Sequence, residues 1–113
     1  MTYEQFDVVV VPFPFTNTSG TKKRPALVIS DAVTFNTTLR RSVMAMITST
    51  THFAWVLDVP INDLTIAGLR AASIVRMKLF TLNDALVVRR IGTLSQVDKT
   101  AVQAALQQLF NLR

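Results

Sequence analysis

A mainly β fold, one small and strongly bent sheet or barrel closed by a single C-terminal helix, is what this chain predicts. Three observations carry that reading. Six short runs rich in apolar and β-branched residues are separated by polar or turn-forming residues. Several of those runs are apolar on both faces, which points to a sheet covered on both sides. Only the stretch after Ser95 changes to helical spacing. At 113 residues, with no internal repeat, linker or low-complexity segment, residues 1–113 read as one domain.

The first two strands are expected at Val8–Val11 and Ala26–Ile29. They flank a polar loop, Thr16-Asn17-Thr18-Ser19-Gly20-Thr21, that runs into the basic triplet Lys22-Lys23-Arg24. Pro25 biases Arg24 towards an extended backbone. Arg24 should therefore sit at a fixed strand edge while Lys22 and Lys23 stay on the loop, with Phe13 and Phe15 packed beneath it. Asp31–Arg41 is a polar connection with room for a helical turn. Ser42–Ser49 alternates Val43, Ala45 and Ile47 against Met44, Met46 and Thr48. Both faces are apolar in the middle, so this third strand should be central. Phe53–Val59 reads as a fourth strand stopped by Pro60. Ile61–Leu69 is irregular, with Gly68 as a turn signal. Ser73–Lys78 and Ala85–Ile91 read as the fifth and sixth strands across a turn at Asn83-Asp84. Ser95 then has the shape of a helix N-cap, with Asp98 near the first-turn amides. Val102, Ala105, Leu106, Leu109 and Phe110 form the apolar stripe of that helix, which should close one end of the barrel.

Half the residues are apolar and 17% are charged, so the chain is globular. So high an apolar share in so small a chain suggests a further buried surface, most simply a homodimer interface. No apolar run approaches the length of a membrane span, and the N-terminus lacks the pattern of a signal peptide. A cytoplasmic protein is the expectation. A formal charge of +5 and a pI near 10.5 favour an acidic partner such as nucleic acid or an anionic protein. The cations fall in small groups at loops and strand ends: Lys22-Lys23-Arg24, Arg40-Arg41, Arg76 with Lys78, and Arg89-Arg90.

Several chemistries are disfavoured by residue type. One histidine, no cysteine and seven dispersed carboxylates make a poor metal-ligand set. No Gly-x-Ser-x-Gly is present, and Ser19-Gly20-Thr21-Lys22 lacks the spacing of a P-loop. RNA cleavage asks less of a protein, because the substrate's own 2′-hydroxyl attacks. The protein has to orient the phosphodiester, stabilise charge on its oxygens and move protons. Arg24 suits the charge, since a guanidinium grips two oxygens and stays ionised. Thr48 and Ser49, at the end of a strand, suit orientation. His52, in the loop after them, has the pKa range for proton transfer. Phe53 and Trp55 suit either base stacking or core and dimer packing.

The opening Phe6-Asp7-Val8-Val9-Val10-Val11-Pro12-Phe13-Pro14-Phe15-Thr16, followed by Lys23-Arg24-Pro25-Ala26-Leu27-Val28-Ile29-Ser30, resembles that of PemK/MazF-type toxins, the ribonuclease half of bacterial toxin–antitoxin pairs. Further echoes at Ile47-Thr48-Ser49, Gly68-Leu69, Ser73-Ile74-Val75-Arg76 and Ile91-Gly92-Thr93-Leu94-Ser95 extend the resemblance over nearly the whole chain. It implies an SH3-like barrel of about six strands with a C-terminal helix, assembled as a homodimer. It also implies a metal-independent, cofactor-free endoribonuclease that cuts single-stranded RNA and inhibits translation, leaving a 2′,3′-cyclic phosphate and a 5′-hydroxyl. A cognate antitoxin with an acidic or amphipathic segment would cover the basic groove. The resemblance places catalysis on Arg24 and Thr48, and RNA contacts are expected at Lys22, Lys23, Ser49, Arg76 and Lys78. Asp7 matches an acidic family position, although Phe6 stands where glycine is usual; Asp7 and His52 are secondary candidates. Some members carry Arg-x-Asp where this chain has Arg76-Met77-Lys78, so the general base is unassigned. The rival reading is a non-catalytic SH3-like module that binds nucleic acid or protein.

Overall fold

A computed structural model of the chain describes residues 2–12, 22–51 and 53–112. His52, Phe13, Phe15 and the loop Thr16–Thr21 lie outside the described residues. The strands are β1 (Asp7–Pro12), β2 (Lys23–Val28), β3 (Arg41–Ser49), β4 (Val59–Pro60), β5 (Ser73–Asn83) and β6 (Arg89–Thr93). They pair antiparallel throughout in the order β4-β5-β3-β2-β1-β6, a curled sheet that forms a half-barrel. Helical turns at Ala32–Asn36 and α1 (Thr37–Leu39) fill the connection before β3, as its polarity suggested. Helices α2 (Leu64–Ala67) and α3 (Gln96–Phe110) complete the chain.

β3 is central, between β5 and β2, and its two-sided apolar character has a direct cause. Ala45 and Ile47 join Phe6, Val8, Leu27, Val59, Val75, Val102 and Ala105 in the larger core, on the side that α3 covers. Met44 joins Tyr3, Val9, Val11, Ala26, Val28 and Leu82 in a second core on the opposite face. β1, β2 and β3 thus divide their alternate residues between two buried layers.

α3 begins where the sequence places it, with Ser95 Oγ accepting from the Asp98 N–H at 3.2 Å. The Asp98 carboxylate does something else than expected. It is buried and accepts from the backbone N–H groups of Asn62 and Asp63 at 3.1 Å, tying the helix to the turn after β4 rather than to its own first amides. The apolar stripe is also shorter than expected. Val102 and Ala105 are buried, while Leu109 and Phe110 stand at the surface.

Several strand boundaries differ from expectation. Lys23 lies within β2, opposite Pro12, rather than on the loop. The expected strand Phe53–Val59 reduces to Val59–Pro60, because Leu57 takes a left-handed backbone (φ 71°) and Asp58 folds the segment back. The Asp58 N–H donates to the Trp55 carbonyl at 3.2 Å, and the Trp55 N–H donates to Asp58 Oδ2 at 2.8 Å. β5 runs on to Asn83, and β6 starts only at Arg89. Between them the Asn83 side chain accepts from the Ala85 N–H at 2.9 Å and starts a tight helical turn, Asp84–Leu86.

The α2 end of the fold rests on two glycines. Gly68 ends α2 with φ +75°, and a Cβ there would lie 2.1 Å from the Ile91 carbonyl oxygen. Across the same contact, a Cβ on Gly92 would lie 2.4 Å from backbone atoms of Ile66 and Ala67. Neither neighbour is a flexible side chain, so the backbones themselves would have to part. Gly92→Ala should therefore destabilise the fold by about 1–3 kcal/mol. Gly68→Ala should cost at least as much, because it adds left-handed strain. Denaturant midpoints for the two variants check this; a wild-type midpoint in Gly92→Ala would refute the close packing.

Candidate functional site

The register of four strands brings the candidate residues together. Directly opposed residues share a face of a sheet, and so do residues two apart on one strand. Val11 faces Arg24, Ala26 faces Met46, and Met46 faces Arg76. Arg24 is two residues from Ala26, and Thr48 two from Met46, so Arg24, Thr48 and Arg76 project from one face around half-buried Met46. This face is the one turned away from α3. Arg24 is half-buried, extended before Pro25 as its sequence context dictates, and Thr48 is buried opposite Ile74.

Arg76 is the most constrained of the three. Its side chain is 8% exposed and pairs with Asp58, Nε to Oδ1 at 3.1 Å and Nη2 to Oδ2 at 3.0 Å. Nη2 also donates to the Phe53 carbonyl, and the guanidinium lies 5.0 Å from the centroid of the Trp55 ring. The segment 53–58 is thus folded over Arg76, with Trp55 stacked on the cation while Phe53 and Val56 point outwards, 91% and 85% exposed. Burial pushes the Asp58 carboxyl up, but bonds from Arg76 and the Trp55 N–H, together with the Arg76 charge, outweigh it and hold its pKa below the ordinary 3.8. The carboxylate missing two residues after Arg76 is therefore present beside it, supplied from another part of the chain. Pattern reading passes over Asp58, because the apolar run from Phe53 makes it look like the tail of a strand. The signal that could reveal it is an Asp three residues after Trp55, a spacing that suits side-chain-to-backbone turns.

The remaining candidates are dispersed. Lys22, just before β2, and Lys23, its first residue, are both exposed. Ser49 ends β3, with its Oγ 3.0 Å from Thr51 Oγ1 and accepting from the Thr51 N–H at 3.2 Å. Lys78 sits in a bulge, where pairing steps from Ala45–Leu79 to Met46–Arg76. Asp7 is buried and engaged by structure, accepting from the Glu4 N–H and from Arg90 Nε, each at 2.8 Å. Among the described residues no three His, Cys, Asp or Glu side chains converge as metal ligands, and no helix is long and apolar enough to cross a membrane.

Residues 4–110 match the family model described as the PemK-like, MazF-like toxin of type II toxin–antitoxin systems. No curated protein matches the chain. Among solved structures, it is similar to Mycobacterium tuberculosis toxin MazF-mt6, with a TM-score of 0.74, 23% identity, and 95% of this chain and 98% of that one covered. A MazE–MazF structure from Deinococcus radiodurans gives a TM-score of 0.78 at 16% identity over 100% of both chains. An endoribonuclease in complex with its cognate antitoxin from a mycobacterial species gives 0.77 at 14% identity, covering 98% of this chain and 97% of that one. At these identities the solved structures speak for the fold, while the family model, matched over almost the whole length, speaks for kinship. The chain belongs to the PemK-like, MazF-like toxin family of type II toxin–antitoxin systems.

Proposed function

We propose that this toxin is an endoribonuclease that cuts single-stranded RNA through the substrate's 2′-hydroxyl, inhibits translation, and is neutralised by a cognate antitoxin. The observation that carries the reading is the shared face of Arg24, Thr48 and Arg76 around Met46, in a family of toxins whose solved relatives include an endoribonuclease bound to its antitoxin. Toxin kinship favours this over a purely binding module.

In this mechanism the 2′-oxygen attacks phosphorus, the bond to the 5′-oxygen breaks, and the products carry a 2′,3′-cyclic phosphate and a 5′-hydroxyl. Arg24 holds the phosphoryl oxygens as negative charge builds on them. Thr48 Oγ1 orients the same phosphate. Lys22, Lys23, Ser49 and Lys78 guide the flanking strand by charge and hydrogen bonding. No metal is needed, because the nucleophile is internal and a guanidinium carries the charge. Asp58, held in its ionised form by Arg76, is a weak base near neutrality, and His52→Ala should slow cleavage far less than Arg24→Ala. Arg76 enters as the support of the site: with its fork filled by Asp58, it fixes the 53–58 segment against β5 beside Thr48. A homodimer is part of the reading. Leu86, Val88, Leu109, Phe110 and Leu112 leave apolar surface exposed on a chain of 12.6 kDa. Sedimentation at micromolar concentration should give twice that mass, and a single 12.6 kDa species would count against the dimer.

The chemistry is tested with a labelled RNA cleaved in chelator, its ends identified by mass. Arg24→Ala and Thr48→Ala should each slow cleavage by roughly a hundred- to a thousandfold. The double variant should cost less than the product of the two, because both act on one phosphate. Full activity in Arg24→Ala, or cleavage of a strand with 2′-deoxyribose at the cut site, would sink the mechanism.

A separate expectation concerns the pair under Trp55. Asp58→Asn leaves a buried cation without its counter-charge and should destabilise the fold by about 3 kcal/mol. In the wild type the Asp58 contribution is present above the unfolded aspartate pKa of about 3.8 and is lost as the pH falls through the lower folded value. Trp55, the one tryptophan of the chain, stacks on the pair, so its fluorescence should change over that acidic window. An unchanged signal between pH ~5 and ~2 would show that the pair does not hold the segment.

A further inference from the structure

On the other face of the sheet, across β2, β1 and β6, lies a cavity of about 500 Å³ that the catalytic reading does not use. Val10 lies opposite Pro25 on one side and opposite Arg89 on the other, so these three residues form one row across β2, β1 and β6. That row shares the face of Val8 and Leu27, the side of α3, whereas Arg24 and Thr48 project from the opposite face. Leu69 and Ile91 complete an apolar floor, and Arg70, just after α2, lines the cavity with them. The rim carries Lys23, Arg24, Arg70 and Arg89, and among the described residues the lining includes no carboxylate. The ion pairs of Arg76 with Asp58 and of Arg90 with Asp7 involve neither Arg70 nor Arg89. Three cations, Lys23, Arg70 and Arg89, from three separate elements around an apolar floor suit a ligand with regularly placed anions and flat apolar groups between them.

We infer that this cavity is a second RNA subsite, in which Arg70 and Arg89 hold a phosphodiester flanking the one that is cut, with a sugar or base over Val10, Pro25, Leu69 and Ile91. The inference rests on the ribonuclease reading above. What ties cavity and cleavage face together is the β2 corner: Arg24 borders the cavity and belongs to the catalytic row, so one strand passing over Lys23 and Arg24 reaches both. An acidic peptide would also satisfy the cations; what favours RNA is the continuity of the rim with the catalytic row at Lys23 and Arg24. The Gly68–Ile91 contact keeps that floor rigid, because nothing larger than glycine fits there.

The test uses the full chain, an RNA of about ten nucleotides made uncleavable by 2′-O-methylation, and affinity measured as a function of salt. Each phosphate contact on a single strand contributes about 0.7 to the slope of log affinity against log salt. Arg70→Gln with Arg89→Gln should lower that slope by about 0.7 to 1.4, and Arg70→Lys with Arg89→Lys should largely retain it. Lys99→Gln, which removes a charge from α3, should leave it at the wild-type value. If the wild type binds and cuts RNA but the double Gln variant keeps the wild-type slope, the subsite is refuted and the ribonuclease reading stands. If the wild type neither binds nor cuts RNA, the ribonuclease reading falls and the subsite with it. A double variant that loses binding of a polyglutamate peptide while keeping its RNA slope would reassign the cavity to a protein partner and overturn the inference.

Discussion

Strand β3 is the constraint on which the rest of the molecule depends. It pairs with β5 over its whole length and with β2 over its middle, and it must satisfy three surroundings at once. Ala45 and Ile47 fill the core under α3, Met44 fills the second core, and Met46 and Thr48 open onto the candidate site. A shift of one residue in its register would exchange these assignments and turn Thr48 into the α3 core. The bulge at Met77 and Lys78 matters for the same reason. It lets β5 change register beside β3, so that Arg76 stands opposite Met46 while Phe80 still stands opposite Met44.

The pairing of Arg76 with Asp58 alters how the missing family aspartate is understood. A carboxylate two residues along the same strand would point from the same face as the arginine. Lys78 occupies that position here, inside the bulge, and the counter-charge comes instead from a turn that closes over the sheet. The exchange leaves the nearby carboxylate ionised, since Asp58 is held so by the cation it serves. In return the turn that carries Phe53 and Trp55 is anchored next to Thr48. Aromatic residues fixed at that position are suited to stacking, whichever polymer lies across the face.

Much of this is legible in the sequence, for identifiable physical causes. Central β3 is visible because apolar residues on both faces of one strand require a cover on each side, which only an interior position supplies. α3 is visible because Ser95 and the Val102–Ala105 spacing are strong local signals. Arg24 can be placed because Pro25 restricts its backbone before any tertiary contact forms. Phe53–Val59 is where pattern and structure part. Its apolar content imitates a strand, but its conformation is set by a tertiary pair, Asp58 with Arg76, and by a left-handed Leu57 that no residue preference announces. The contacts of Asp98 elude local spacing for a similar cause. Its carboxylate takes its donors from a turn more than thirty residues earlier in the chain. The cavity beside Arg70 is invisible in the sequence because its rim comes from three elements that only the sheet order brings together.

That sheet order has a consequence for how the protein comes off the ribosome. β1, made well before β6, takes β6 as its outer neighbour, and the Asp7–Arg90 bond joins residues 83 apart. Until residue 93 has emerged, β1 has an open edge and the first layer of the core has no α3 above it. Such long-range closure is slow, and it leaves the nascent strands exposed while translation proceeds. A toxin built in this order closes its sheet only after β6 has been made, more than eighty residues beyond β1, so the ribosome that makes it works alongside an unassembled chain.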